Sequence, residues 1–237
     1  RDRWGMVQVV FNPKNEKLLK EADRVRPEWV VKIEGVVKER PQGMQNPGMP
    51  TGKIEVAATR IEIFAEAKTP PFALDTDGYE IGEEMRMKYR YLDLRRPRMQ
   101  KNLFLRHQSA QFIRRFLFDR EFMEIETPYI TKGTPEGARE FVIPSRLHPG
   151  KFYTLPQSPQ QYKQLLMVAG FERYFQIARV FRDEDPRADR VYGDWTQVDI
   201  ELSFTSQEEI LELVEKMMIE LIKNVFPEKT ITETPFP

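Results

Sequence analysis

The chain has 237 residues, enough for one large domain or two modest ones with real cores. Hydrophobic residues make up 40% and charged residues 31%, too apolar for a disordered chain, and a formal net charge of zero argues against the broad positive field of a nucleic-acid-coating protein without excluding a local basic patch. With no cysteine, disulfide frameworks, thiol nucleophiles and Cys-based zinc sites are ruled out, and no stretch approaches the roughly 18–20 apolar residues of a membrane span.

Charged Arg1-Asp2-Arg3 runs almost directly into strand-like Met6-Val7-Gln8-Val9-Val10-Phe11, whereas a natural amino terminus usually frays before its first element. The other end, Thr234-Pro235-Phe236-Pro237, stops without a closing helix, so the chain reads as a fragment. Residues 6–11, 29–37 and 53–64 are β-branched runs with partial alternation. Glu16 to Glu21 predicts a short helix, and Pro41 to Pro50 a turn-rich loop. Short strands with one small helix point to a small β-barrel or sandwich. Around 65–80 the pattern dissolves into Thr69-Pro70-Pro71-Phe72 and Asp75-Thr76-Asp77-Gly78, which read as a stiff, polar linker.

After Tyr89 to Pro97 the periodicity changes. Residues 99–118 place Leu103, His107, Ala110, Ile113 or Arg114, and Leu117 at helical spacing. A strand ending at Thr127-Pro128 follows, then a loop with Gly133 and Gly137. The next helix has Ser158 as its N-cap, Pro159 at its first position and Gly170 at its end. Strands are predicted over 174–182 and 197–204. The last helix opens with a capping box, Ser206-Gln207-Glu208-Glu209, and carries Ile210, Val214, Met217, Met218, Leu221 and Val225. The fold class is α+β with antiparallel strands.

The chemistry concentrates on the last two strands. Alternation puts Val198, Ile200, Leu202 and Phe204 on one face and Gln197, Asp199, Glu201 and Ser203 on the other. The second face is either the solvated outside of a sheet or a line of ligand-facing polar groups. The 174–182 strand is apolar on nearly both faces, so it sits deep, and then breaks into Arg182-Asp183-Glu184-Asp185-Pro186-Arg187-Ala188-Asp189-Arg190. An arginine ending a buried strand is well placed to grip an anion through two parallel N–H groups. The charges after it fit either a ligand-binding loop or a salt-bridged surface turn.

Phe181-Arg182-Asp183-Glu184 resembles motif 2 of class II aminoacyl-tRNA synthetases, and the long helix followed by Phe122-Met123-Glu124-Ile125-Glu126-Thr127-Pro128 resembles their motif 1. The resemblance narrows to the bacterial aspartyl enzymes. It does so at Thr134-Pro135-Glu136-Gly137-Ala138-Arg139-Glu140, at Gln157-Ser158-Pro159-Gln160-Gln161-Tyr162-Lys163-Gln164-Leu165-Leu166-Met167, at Arg182 to Arg190, and at the hinge signature Tyr89 to Arg96. Any one of these blocks is weak, and four in order are specific. The resemblance implies a partial OB-fold β-barrel over 1–66, a hinge over 67–97, and over 98–237 part of the class II antiparallel β-sheet domain with flanking helices. It implies activation of L-aspartate by ATP to aspartyl-adenylate, then transfer to tRNA(Asp), by a cytoplasmic homodimer with Pro128 at the dimer interface and no membrane association.

No protein nucleophile is needed, because catalysis is mostly positioning and cationic stabilisation of phosphate. His107 and His148 are accordingly structural or surface residues. By the resemblance, Arg182 and Glu184 are the catalytic pair. Arg182 bridges the α-phosphate and the substrate α-carboxylate, and Asp183, Glu184 and Glu201 sit on the ATP side. Lys163 neutralises the aspartate side chain, since a buried carboxylate without a cation would cost several kcal/mol; alone it would read as an exposed helix lysine. Glu136, on a loop expected to act as a lid, holds the substrate ammonium. Ser158, Gln160, Gln197 and Asp199 line the pocket. Gln160 and Lys163 are three apart and share a helical face. In the barrel, Gln8 reads an anticodon base and Lys38 and Arg40 contact the anticodon stem-loop.

Two features depart from the family. After Arg190 it usually continues Gln-Pro-Glu-Phe-Thr-Gln, but here Val191-Tyr192-Gly193-Asp194-Trp195-Thr196-Gln197 is one residue longer and lacks the ATP-contacting glutamine. Motif 3 is missing. It would supply the adenine-stacking arginine, a second arginine for the aspartate side chain, and the carboxylates that hold Mg2+, whose ligands are therefore expected outside this sequence. The 237 residues alone are expected not to make the adenylate. The competing readings are the same fold with asparagine or lysine as substrate, and a non-catalytic OB-fold paralogue.

Overall fold

The three β-branched runs near the amino terminus each form a strand, because alternate side chains have an apolar face to cover. In the computed structural model they are β1 (Gln8–Val10), β2 (Val30–Glu39) and β3 (Ile54–Ala65). The structure describes all residues except 3–4, 134–135, 185–192 and 236–237, and divides the chain into two units, Arg1–Gln100 and Lys101–Pro237.

In the first unit β3 lies between β1, which runs parallel to it, and β2, which runs antiparallel. The β2–β3 ladder shifts register between Glu34 and Gly35. A Cβ at Gly35 would collide with the Ala57 carbonyl, so the close strand approach there needs glycine. Helix α1 (Glu16–Asp23) is capped by Asn15, whose side chain accepts the Leu18 N–H at 3.2 Å. Leu18 then packs with Ala58 and Ile61 to form the core of the sheet.

The segment read as a plain linker is itself folded. It contains α2 (Glu83–Lys88) and α3 (Arg90–Asp93), and its centre is an ion pair between Arg96 and Asp93 at 3.0 Å, both 0% exposed. Arg96 also donates to the Thr76 carbonyl at 2.7 Å and the Thr76 hydroxyl at 2.8 Å, and its guanidinium lies 5.3 Å from the Phe72 ring centroid. Arg90 reaches the other Asp93 oxygen at 2.6 Å.

Helix α4 (Pro97–Phe118) has proline at its first position, where the missing N–H costs nothing. The sheet of the second unit orders β4 (Met123–Glu124), β7 (Arg173–Arg182) and β8 (Gly193–Leu202) side by side. β7 and β8 are antiparallel, as expected, while β4 runs parallel to β7, so the sheet is mixed. One face is covered by α4 and by α6 (Gln207–Val225), whose Ile113, Phe116, Leu117, Met217, Leu221 and Val225 enclose Phe175.

Several sequence expectations shift. Apart from Met99, the buried residues of α4 lie in its carboxyl-terminal half, and Leu103 and His107 are exposed. In α6 the core side is Met217, Leu221 and Val225, with Ile210, Val214 and Met218 partly in solvent. Phe204, expected in the core, is 96% exposed with φ 54°, because β8 ends at Leu202 and the chain turns. A hairpin of β5 (Val142–Pro144) and β6 (Phe152–Thr154) stands where only a loop was expected. Among the described residues no helix is long and apolar enough to cross a membrane.

Candidate active site

The face of β7–β8 turned away from α4 and α6 carries the polar residues singled out above. The register pairs Tyr174 with Glu201, Gln176 with Asp199, Ala178 with Gln197, Val180 with Trp195 and Arg182 with Gly193. Tyr174, Gln176, Ala178, Val180 and Asp199 are all buried, so this is no solvated outer face. Helix α5 (Gln160–Val168) packs across β7 and β8 on this side.

Helix α5 begins one residue later than expected. Ser158 still serves its start, accepting the Gln160 N–H at 3.2 Å, and Gly170 closes it with φ 91° as the Phe171 N–H returns to the Leu166 carbonyl at 3.0 Å. From this helix Lys163 reaches down to the sheet and is only 9% exposed. Its Nζ lies 2.9 Å from Asp199 Oδ1 and 3.2 Å from Glu201 Oε2. Asp199 is 8% exposed, and the ion pair with Lys163 is what holds its Oδ1, which has no other partner among the described residues. Gln197 donates to Asp199 Oδ2 at 3.1 Å, and Gln164 to Glu201 Oε1 at 2.9 Å.

Burial alone would lower the Lys163 pKa, but the contact and charge of Asp199, then of Glu201, outweigh it and hold the ammonium above the ordinary lysine value. Lys163 is therefore charged throughout the neutral range. Burial, seconded by the same two carboxylates, pushes the Tyr174 phenol well up, so it stays protonated and donates to Gln176 Oε1 at 2.9 Å. Thr127 donates to the same oxygen at 2.9 Å.

Arg182 is half-buried at the far end of β7, about 20 Å along the strand from Gln176 at roughly 3.3 Å per residue. Its guanidinium leans over the Trp195 ring, 4.8 Å from the centroid, and its buried Nε has no hydrogen-bond partner among the described residues. Trp195 was not singled out from the sequence; strand alternation extended two residues before Gln197 would have placed it on this face. The Asp183 N–H bonds the Arg139 carbonyl at 2.9 Å, and Glu184 is exposed. The charged stretch 185–190 and the family departure at 191–192 lie outside the described residues. Thr134 and Pro135 of the expected lid do too. Glu136, just after them, is half-buried, whereas Gln160 is exposed at the start of α5.

The other expected positions divide by exposure. Gln8 is exposed, with its amide 3.4 Å from Glu55 Oε2, and Lys38 is exposed. Arg40 is buried, with Nε donating to the Ile54 carbonyl at 3.0 Å. Pro128 is exposed beyond β4, as are nearby Met123 and Ile130. His107 and His148 are both exposed. Among the described residues no group of three or more His, Cys, Asp or Glu side chains is arranged to hold a metal ion.

Residues 82–237 match the family model described as tRNA synthetases class II (D, K and N), and residues 1–64 match the OB-fold nucleic acid binding domain. The chain is 52% identical over all 237 residues to an aspartate–tRNA(Asp/Asn) ligase of Rubrobacter xylanophilus, covering 39% of that protein. It is 59% identical over 224 residues, 94% of the chain, to one of a Geobacillus species, covering 37% of it. An aspartate–tRNA ligase of Oceanobacillus iheyensis is 54% identical over 95% of the chain, which spans 38% of its length. The chain thus spans under two fifths of the curated relatives it matches. In fold, it superposes along its whole length on 56% of an asparaginyl-tRNA synthetase from Pyrococcus horikoshii, with a TM-score of 0.81 at 23% identity. The chain belongs to the class II tRNA synthetases of the D, K and N group, with an OB-fold domain ahead of the synthetase domain.

Proposed function

We propose that this chain is part of an aspartate–tRNA ligase, which condenses L-aspartate with ATP and passes the aspartyl group to tRNA(Asp). The observation that carries the reading is the cation at the end of β7. Arg182 is half-buried, and its buried Nε has no hydrogen-bond partner among the described residues. A buried cationic donor left unpaired costs free energy until an anion, here a carboxylate or phosphate, satisfies it.

In this reading Arg182 holds the α-carboxylate and the α-phosphate of ATP, and Glu136 holds the ammonium. Lys163 faces the side-chain carboxylate, with Ser158, Gln160, Gln197 and Asp199 lining the space. Asp183 and Glu184 serve the nucleotide. Glu201, placed on the ATP side by the resemblance, also steadies Lys163, its two oxygens meeting Lys163 and Gln164. One ammonium against two carboxylates leaves this cluster with a negative charge in excess. An aspartate side chain adds another, so a further cation must complete the pocket. The family resemblance places that arginine in motif 3, together with the Mg2+ ligands, and this sequence lacks motif 3. The 237 residues alone are therefore expected to bind aspartate poorly and to form no adenylate.

In the first unit Gln8 and Lys38 are proposed to meet the anticodon, with Arg40 shaping the strand end beneath them. Residues 1–66 form the OB-fold part, 67–97 the hinge and 98–237 the catalytic part. The enzyme is proposed to act in the cytoplasm as a homodimer with Pro128 at the interface.

The test is amino-acid-dependent ATP–pyrophosphate exchange by the complete enzyme that contains this chain. Aspartate should support exchange, and asparagine and lysine should not. Lys163→Ala should lower kcat/KM for aspartate about a hundredfold, the scale set by stranding a buried charge. Undiminished use of aspartate by that variant, or a preference for asparagine or lysine, would sink the reading.

A further inference from the structure

We propose that Gln157 is a positioning residue that sets the 136–140 loop against the end of β7, so that Glu136 and Arg182 address the same guest. Gln157 is 1% exposed, and its side-chain amide grips Ala138 by both backbone groups. Gln157 Oε1 accepts the Ala138 N–H at 3.2 Å, and Gln157 Nε2 donates to the Ala138 carbonyl at 3.1 Å. A primary amide can donate and accept side by side, and so can grip the N–H and the carbonyl of a single residue in this way.

That grip is one link of a closed circuit. Beside it, the Leu155 N–H bonds the Phe141 carbonyl at 3.0 Å, so residues 155–157 lie alongside residues 138–141. On its other side the same segment holds β7, through the Phe181 N–H to the Pro156 carbonyl at 2.9 Å. The loop then closes back on the residue after Arg182. The Asp183 N–H bonds the Arg139 carbonyl at 2.9 Å, and Arg139 Nε donates to the Asp183 carbonyl at 2.9 Å. Loop, segment and strand end therefore fix one another in a ring, which constrains geometry more tightly than any open chain of the same bonds.

Glu136 lies two residues outside this ring, joined through Gly137, whose φ of 88° is a conformation that favours glycine. Without the Gln157 grip the loop would have to be ordered afresh each time an amino acid binds, and part of the binding free energy would go to that ordering. Because the ammonium is held equally in the ground and transition states, the loss falls on KM for the amino acid rather than on kcat.

The inference rests on the reading of this site as an aspartate pocket, and the test separates the two. In the complete enzyme, Gln157→Leu removes both bonds to Ala138 with little change of volume. KM for aspartate in ATP–pyrophosphate exchange should rise about tenfold, the equivalent of one net hydrogen bond, with kcat and KM for ATP within about twofold of wild type. Arg139→Ala, at an exposed position that folding tolerates, should raise KM for aspartate about threefold by removing one of the two bonds that close the ring at its other end. An unchanged KM for aspartate in both variants, or KM for aspartate and ATP rising together, overturns the positioning role. If the wild-type enzyme uses asparagine or lysine instead, the substrate reading fails, and the same comparison on that amino acid's KM decides the role of Gln157.

Discussion

Gln176 and Asp199 face each other across the β7–β8 ladder, both buried, yet their partners lie in different directions. The Gln176 carbonyl oxygen takes hydrogen bonds from Tyr174 and Thr127, while Asp199 takes one from Gln197 and pairs with Lys163 of α5. The negative charge of the sheet is thus partly compensated from the helix. Lys163→Met should leave Asp199 and Glu201 facing each other without a cation and cost about 2 kcal/mol, less than a fully buried pair because Glu201 is partly exposed. Calorimetric melting of wild type and variant measures it.

The same pair gives a pH dependence of known sign. The Lys163 pKa is raised in the folded state above 10.5, so its contribution is fully present below the unfolded value and is lost as pH rises through the folded one. The stability gap between wild type and Lys163→Met should be constant from pH 7 to about 10 and shrink above that. A gap that closes instead at acid pH alone would contradict the assignment.

The folded hinge segment predicts a large effect far from any ligand. Asp93→Ala strands Arg96, which is 0% exposed, and should cost about 3–5 kcal/mol. Gly78→Ala should also destabilise, because its Cβ would lie 2.6 Å from Arg96 Nε and Gly78 has φ 79°. Denaturant titrations of the two variants check this, and unaltered midpoints would mean that the pair does not hold the segment.

Phe204 gives the opposite sign. It is nearly fully exposed and holds a left-handed backbone that phenylalanine adopts at a cost. Phe204→Asn should stabilise by about 0.5–1 kcal/mol, read as a higher melting temperature.

At the start of α6 the Ser206 hydroxyl accepts the Glu209 N–H at 3.3 Å, and Glu209 accepts the Ser206 N–H at 2.8 Å. Ser206→Ala should cost about 1 kcal/mol. The Ser206 N–H, seconded by the Thr205 hydroxyl, lowers the Glu209 pKa below 4.5, so the Glu209 share persists above the unfolded pKa and disappears as pH falls through the folded one. A chemical-denaturation series from pH 6 to 2 should show the wild-type advantage over Glu209→Gln vanishing at the acid end.

What the sequence made legible was what local pattern encodes. Period-two alternation put Asp199 and Glu201 on one face, serine and glutamate three apart marked the start of α6, and ordered motif blocks carried the family. What stayed hidden depends on partners distant in the chain. Lys163 alone reads as a surface lysine; its burial follows from β8 lying beneath α5, some 36 residues on. The Asp93–Arg96 pair resembles any charged helix turn until Thr76, Gly78 and Phe72 close around it. Phe204 continues the alternation perfectly, and only the end of the β7 ladder at Arg173 tells the chain to stop. The parallel sense of β4 likewise follows from the crossover through β5, β6 and α5 that brings the chain back to β7, which no short window contains.

The alternation of β8 also ties quality control to chemistry. A slip of one residue in its pairing would swing both acids through half a turn, into the oily layer formed by α4 and α6, and leave Lys163 with nothing to answer. No half-competent version of this sheet exists, because the mistake that spoils the fold erases the charge pattern as well.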